Sequence, residues 1–331
     1  MTAARIRQLS QGEWGGRRFV DPAAWLAYAL LAGQTLFLAV VLASGRFTMS
    51  TLLVWMCFAK PMLFVLCAWA ARWRGFTRIA TFIEIVALLI LGGALTAVNS
   101  LILAGAGLPL ADDALAAADR LLFGFDRTAM AGRLHDYPAV QQVSDAVYHS
   151  ASLSMLMLFA CLVWRGDGRG AWRVFSAFQI AALVGLCAFA LTPAYGTPPY
   201  AYSFEAVLNG VRDGSIRTLD LNMLTGVITF PSMHAAGGVL IAWGLARLGR
   251  LAMPLVLLNI AMIGTAVTSG GHYLVDMAAG VALALLAIRL SGLGGRARGG
   301  LIPHARLRSS PAGARGTAPA GSPARSRSSS P

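Results

Sequence analysis

Residues 79–104 read IATFIEIVALLILGGALTAVNSLILA, an apolar run with a single charge, Glu84. A helix rises 1.5 Å per residue and a hydrocarbon core is ~30 Å thick, so about 20 such residues cross a bilayer. Seven further runs look alike: roughly 23–44, 49–71, 146–164, 174–195, 230–248, 251–270 and 272–290. Ten-residue alternating segments of a membrane barrel are absent. The expected fold is therefore all-α, a polytopic membrane helix bundle of about eight transmembrane helices. The whole chain agrees with this. Of its 331 residues 57% are hydrophobic and only 12% charged, and the mean hydropathy is +0.65. Average soluble domains carry about 25% charge, so a soluble domain, a disordered chain and a collagen-like chain are excluded. The net charge of +13 would suit nucleic acid in a soluble protein, but here basic loops that orient helices account for it, and no nucleic-acid partner is implied.

The arginines set the expected orientation. With the N-terminus inside, the cytoplasmic segments collect Arg5, Arg7, Arg17, Arg18, Arg72, Arg74, Arg78, Arg165, Arg169, Arg173, Arg247 and Arg250, and the tail adds eight more. The outer segments hold Arg46, Arg120, Arg127, Arg133, Arg212 and Arg217. Both termini are then cytoplasmic, and a bacterial inner membrane is the expected location. The first span follows basic residues as a signal peptide does, but its apolar run is too long for a signal core of 7–15 residues, so it reads as a retained anchor. Cys57, Cys67, Cys161 and Cys187 all fall in apolar runs and read as reduced packing residues, without disulfide or zinc spacing.

The chain divides into a cytoplasmic segment 1–22, two extra helices within 23–78, a core 79–290 and a basic tail 291–331. The tail is Gly, Pro, Ser, Ala and Arg, a composition expected to be disordered. Two outer segments are long. Residues 105–145 mix apolar and charged positions at near-helical spacing, which predicts short interfacial helices. Residues 196–229 begin GTPPYAYSF and read as a turn-rich loop.

Polar residues within spans are functional suspects. One cluster, Thr229-Phe230-Pro231-Ser232-Met233-His234, opens the sixth span. The other, Gly270-Gly271-His272-Tyr273-Leu274-Val275-Asp276, opens the eighth. Alternating topology puts both at one membrane face. Pro231 suits a first helical turn, which would leave the N–H groups of Ser232 and Met233 free as an anion site. His272 and Asp276 are four apart and share a helix face, so a carboxylate can hold one imidazole nitrogen and leave the other to attack. Two blander readings compete: a histidine satisfied by a neighbouring helix, and half a metal site.

Pro-Ser-x-His followed about 40 residues later by His-x-x-x-Asp resembles the second and third motifs of the type 2 phosphatidic acid phosphatase superfamily. FPSMHAA with GGHYLVDMAAG, the stretch Asp119-Arg120-Leu121-Leu122-Phe123-Gly124 and the prolines from Pro193 to Pro199 are similar to its inositol phosphorylceramide synthase-like (inositolphosphotransferase) branch. The resemblance covers roughly 80–290. It implies a membrane lipid phosphatase or phosphotransferase acting on a lipid phosphate or phospholipid, with no metal or organic cofactor. It implies His272 as nucleophile, Asp276 as its orienting carboxylate, His234 as acid and base, and Ser232 as a phosphate ligand. Oligomeric state is not implied.

The chain departs from the superfamily pattern. The first motif, Lys then six residues then Arg-Pro, is missing. Ala266 stands where arginine precedes the third motif, and Thr265 replaces a serine. A phosphate needs positive charge, so the outer segment with Arg120, Arg127 and Arg133 is the expected lid, with Arg212 and Arg217 next. Arg120 and Arg127 are seven apart, two helical turns. Asp145, Tyr148 and His149 open the fourth span and are candidates for headgroup contact or for helix anchoring. Lys60, the chain's one lysine, sits mid-span, with Glu84 as its expected partner, and Asn99 and Ser100 read as helix-packing polar residues. Two other functions stay open: a transporter or lipid-binding protein without chemistry, and an inactive family member.

Overall fold

The computed structural model describes residues 13–14, 17–126, 130, 137–198, 200–224 and 228–296. The expected arginines Arg127 and Arg133 and the tail beyond 296 lie outside the described residues. The chain forms α1 (Trp25–Ala43), α2 (Thr51–Trp73), α3 (Thr77–Ala104), α4 (Asp112–Phe123), α5 (Pro138–Trp164), α6 (Gly168–Leu191), α7 (Tyr200–Asp213), α8 (Met233–Ala246), α9 (Met253–Ser269) and α10 (Leu274–Arg296). Seven helices are long and apolar enough to cross a membrane: α1, α2, α3, α5, α6, α9 and α10. The eighth apolar helix, α8, spans only Met233–Ala246, ~21 Å at 1.5 Å per residue. Pro231, expected in its first turn, lies before it: Ser232 caps the start, its hydroxyl accepting from the Ala235 N–H at 3.2 Å, so the preceding residues belong to the loop.

Helix α3, the run quoted first, is the most buried of the spans. It packs on α1, α2, α5, α6 and α7, while α8 is enclosed by α5, α6, α9 and α10. That second contact is close because Gly280 of α10 lacks a side chain: a Cβ there would lie 2.3 Å from the Ser232 carbonyl oxygen.

Several boundaries move from their expected places. Helix α5 begins at Pro138, eight residues early, because Gln141 Nε2 donates to Asp145 Oδ1 at 2.7 Å one turn on, keeping this polar stretch helical. The interfacial helix expected within 105–145 is α4, with acidic Asp112 and Asp113 in its first turn and left-handed Gly124 closing it. The loop expected to be turn-rich contains α7. Of the cysteines only Cys57 is buried, and Cys67, Cys161 and Cys187 are exposed.

Glu84 is fully buried, and its partner is Arg72, not Lys60. Arg72 also donates to the Phe19 carbonyl at 2.9 Å and to Thr81 Oγ1 at 3.1 Å. Tyr28 donates to Glu84, and Trp69 Nε1 donates to Glu84 Oε1 at 3.0 Å. This network ties α1, α2 and α3 at one end. Helices α2 and α3 run antiparallel about a turn near Gly75, which puts Lys60 level with Ile90, six residues or ~9 Å from Glu84. Lys60 is exposed instead. Asn99 is buried and donates to the Gln34 carbonyl at 3.2 Å.

Removing one member of a buried ion pair typically costs about 3–5 kcal/mol, because the other charge stays buried and unpaired. Arg72→Ala or Glu84→Ala is expected to lower the melting temperature of detergent-solubilised protein by several degrees, whereas Lys60→Ala leaves it within a degree or so.

Candidate functional site

The two polar clusters meet where α8 and α10 begin. The Ser232 N–H donates to the Asp276 carbonyl at 3.0 Å. Asp276 Oδ2 accepts the Tyr273 N–H at 2.9 Å, the reach-back of a third-position carboxylate to its own helix start. His272 lies just before α10, following Gly271 in the left-handed region at φ +69°. Its Nδ1 is 2.9 Å from the Thr229 carbonyl oxygen and 3.4 Å from Asp276 Oδ2. A carbonyl oxygen only accepts, so Nδ1 carries the proton. The Nε2 atom of a neutral His272 then holds the lone pair.

His234 is the second residue of α8. Its Nδ1 is 3.0 Å from the Tyr148 hydroxyl, and the two rings stack at 4.2 Å. The His234 and His272 ring centroids are 6.3 Å apart. Both rings and Tyr148 line one cavity of about 320 Å³ with Thr229, Met233 and Gly270. Gly270 has no room for a side chain: a Cβ would lie 2.6 Å from the Ala266 carbonyl oxygen and 3.0 Å from Tyr148 Cε2.

Helix α4 clamps this arrangement from one side. Asp119 is buried and accepts from the N–H groups of Leu274 and Val275, both at 2.8 Å. Two turns earlier, Asp112 accepts from the N–H groups of Tyr195 and Gly196, both at 2.9 Å, and from the Tyr273 hydroxyl at 3.3 Å. Burial, with the Asp112 charge beside it, pushes the Tyr273 hydroxyl well above its usual pKa.

Several expected placements change. The hydroxyl of Ser232 caps α8 and its N–H is taken by Asp276, so Ser232 is fully buried in the seam and does not line the cavity. Met233 reaches the cavity. His149 is exposed and does not line the cavity, its ring lying edge-on to Tyr148 at 5.3 Å, while Tyr148, one residue earlier and about 100° around the helix, faces in. Arg120 is exposed at the end of α4 and lines no part of the cavity. The α4 face that meets the site carries Asp112 and Asp119, not arginines. Arg212 donates to the carbonyls of Ala104 and Leu108 at 3.2 and 2.8 Å, and Arg217 to that of Gly214 at 3.4 Å. Among the described residues, the cavity lining holds no arginine or lysine.

A family model described as the PAP2 superfamily matches residues 113–290, more than half of the chain. No curated protein and no solved structure matches.

Asp119 was visible in sequence only as part of a resemblance, yet it caps α10 from outside. Losing a helix-start acceptor typically costs ~1 kcal/mol, with a range of about 0.5–2. Asp119→Ala is expected to destabilise the protein by that order in a thermal melt, and Asp119→Asn, which keeps an acceptor oxygen, by less.

Proposed function

The chain belongs to the PAP2 superfamily, and on that premise we propose that it is a lipid-phosphate phosphatase working through a phosphohistidine on His272. Family and helices together make it an integral, multi-pass membrane protein of phosphatase type. The observation that carries the mechanism is the locked imidazole. With Nδ1–H held between the Thr229 carbonyl and Asp276, His272 Nε2 attacks phosphorus. The N–P bond forms as the P–O bond to the lipid breaks. Asp276 orients the ring and stabilises the cation left on it.

His234 supplies the proton. As imidazolium it directs Nδ1–H to the Tyr148 oxygen and gives its Nε2 proton to the departing lipid oxygen. In the second half, Nε2 takes a proton from water, whose oxygen attacks phosphorus and releases His272. A ring separation of 6.3 Å suits two imidazoles meeting one phosphoryl group. The first N–H groups of α10 are already taken by Asp119 and Asp276, so this helix start offers the phosphate no free amide. Placement of the site at the extracytoplasmic face is supported by the arginine distribution. Residues 23–78 act as an N-terminal addition docked on the 79–290 core through Arg72 and Glu84.

A second reading uses the same intermediate with a lipid hydroxyl in place of water. It follows the resemblance of FPSMHAA and GGHYLVDMAAG to the inositol phosphorylceramide synthase-like branch, whose members move a phospho-headgroup between lipids.

Purified protein given a panel of lipid phosphates and phosphoinositides separates the two readings, with released phosphate and new phospholipid both measured. His272→Ala is expected to abolish turnover. Asp276→Asn is expected to cost orders of magnitude, up to ~10⁴ by analogy with lost imidazole orientation elsewhere. His234→Ala is expected to spare part of the phosphorylation step for substrates with good leaving groups, while hydrolysis of the phosphohistidine slows for all of them. Equal, mild losses in all three variants would contradict the assignment.

A further inference from the structure

Another cavity, of about 170 Å³, shares no lining residue with that of the histidines. Its lining is Arg46, Phe47, Val211, Gly214, Ile216 and Arg217. Arg46 and Phe47 come from the loop between α1 and α2; the other four come from the end of α7 and the turn after it. The cavity lies beside the end of α3. Arg46 Nη2 is 3.5 Å from the Gly105 carbonyl oxygen, and Arg212 ties α7 to the carbonyls of Ala104 and Leu108. Helices α1 and α3 leave the bundle at this end, so the cavity sits at the level of the lipid headgroups.

Backbone pairing joins its two halves. Thr48–Met49 runs parallel to Thr218–Leu219. The Thr48 N–H donates to the Arg217 carbonyl at 2.8 Å, and the Ser50 N–H to that of Leu219 at 2.9 Å. The turn after α7 is held as well: the Ser215 N–H donates to Asp213 Oδ1 and the Ile216 N–H to the Gly210 carbonyl, both at 2.8 Å. Both arginines thus stand on fixed backbone, yet their side chains are exposed. Each guanidinium has five N–H donors. Arg46 uses one on Gly105, and its guanidinium carbon is 5.5 Å from the Phe47 ring centre. Arg217 uses one on the Gly214 carbonyl at 3.4 Å. Both contacts are long for hydrogen bonds. Among the described residues neither arginine has a carboxylate partner. Asp213 and Asp220 accept instead from the N–H groups of Ser215 and Asn222.

Two like charges lining one small cavity repel. An oxyanion between them converts that repulsion into forked, charge-assisted hydrogen bonds. We propose that this cavity binds the phosphate of a membrane phospholipid between Arg46 and Arg217, and that the lipid fastens residues 23–78 to the core. The recognised chemistry is a phosphate oxyanion. The apolar wall of buried Phe47 and Val211, at headgroup level, assigns it to a phospholipid instead of free phosphate. Gly214, at φ +80°, leaves open space where a Cβ would stand. The site requires neither histidine and is independent of the catalytic reading.

Delipidated full-length protein in a neutral detergent tests this by native mass spectrometry, which counts bound ligands, and by thermal melts. It is titrated with dioctanoyl phosphatidylglycerol, with dioctanoylglycerol, which lacks the phosphate, and with inorganic phosphate. The phospholipid is expected to bind and to raise the melting temperature by several degrees. The other two are expected to bind about tenfold more weakly or worse, as befits loss of charge-assisted bonds or of the apolar part. Arg46→Gln combined with Arg217→Gln is expected to keep the ligand-free melting temperature, because both side chains are exposed. The same double variant is expected to carry one phospholipid fewer and to lose the thermal shift. An unchanged phospholipid count in that variant overturns the proposal, as does the absence of a thermal shift in the unaltered protein. Inorganic phosphate or dioctanoylglycerol matching the phospholipid overturns it too.

Discussion

The seam between the starts of α8 and α10 is the constraint on which the site depends. Three contacts close it: Ser232 N–H to the Asp276 carbonyl, the Thr229 carbonyl to His272 Nδ1, and the bare Gly280 backbone against the Ser232 carbonyl. Together they bring two helix starts close enough that one histidine from each faces the same cavity. They also settle a proton. Because Nδ1 of His272 faces a carbonyl oxygen, the lone pair of the neutral ring sits on Nε2. Backbone geometry, more than the neighbouring carboxylate at 3.4 Å, sets this tautomer.

Around the seam, carboxylates take the place that arginines were expected to fill. Asp112, Asp119 and Asp276 bind five backbone N–H groups between them, at Tyr195, Gly196, Tyr273, Leu274 and Val275. Each bond holds a loop or helix start in position. The helix-start amides that would serve as an anion site at α10 are thereby satisfied within the protein. The rigidity that positions His272 is obtained at the expense of free donors for a phosphate.

Much of this was legible in the sequence, and the reasons differ by residue. The spans were readable because bilayer thickness sets their length, and the pairing of His234 with His272 because topology puts alternate helix starts on one face. Arg72 counts in the sequence only as one of the cytoplasmic arginines, since nothing local shows that its side chain turns back onto Glu84. Lys60 matched Glu84 in chemistry but not in level, which only the antiparallel register of α2 and α3 reveals. Asp112 and Asp119, seven apart on an amphipathic helix, carried the same spacing as Arg120 and Arg127, so periodicity alone could not choose between the faces. Tyr148 and His149 were indistinguishable until the rotation of α5 was known.

The central claim is that His272 Nε2 forms a bond to phosphorus, and trapping that bond tests it most directly. Protein mixed with a radiolabelled lipid phosphate and quenched in base, where phosphohistidine survives, is digested and the labelled peptide sequenced. The account predicts label on His272 in the unaltered protein, absent from His272→Ala and accumulating in His234→Ala, where water attack lacks its base. Turnover with label on another residue, or label retained in His272→Ala, would contradict it.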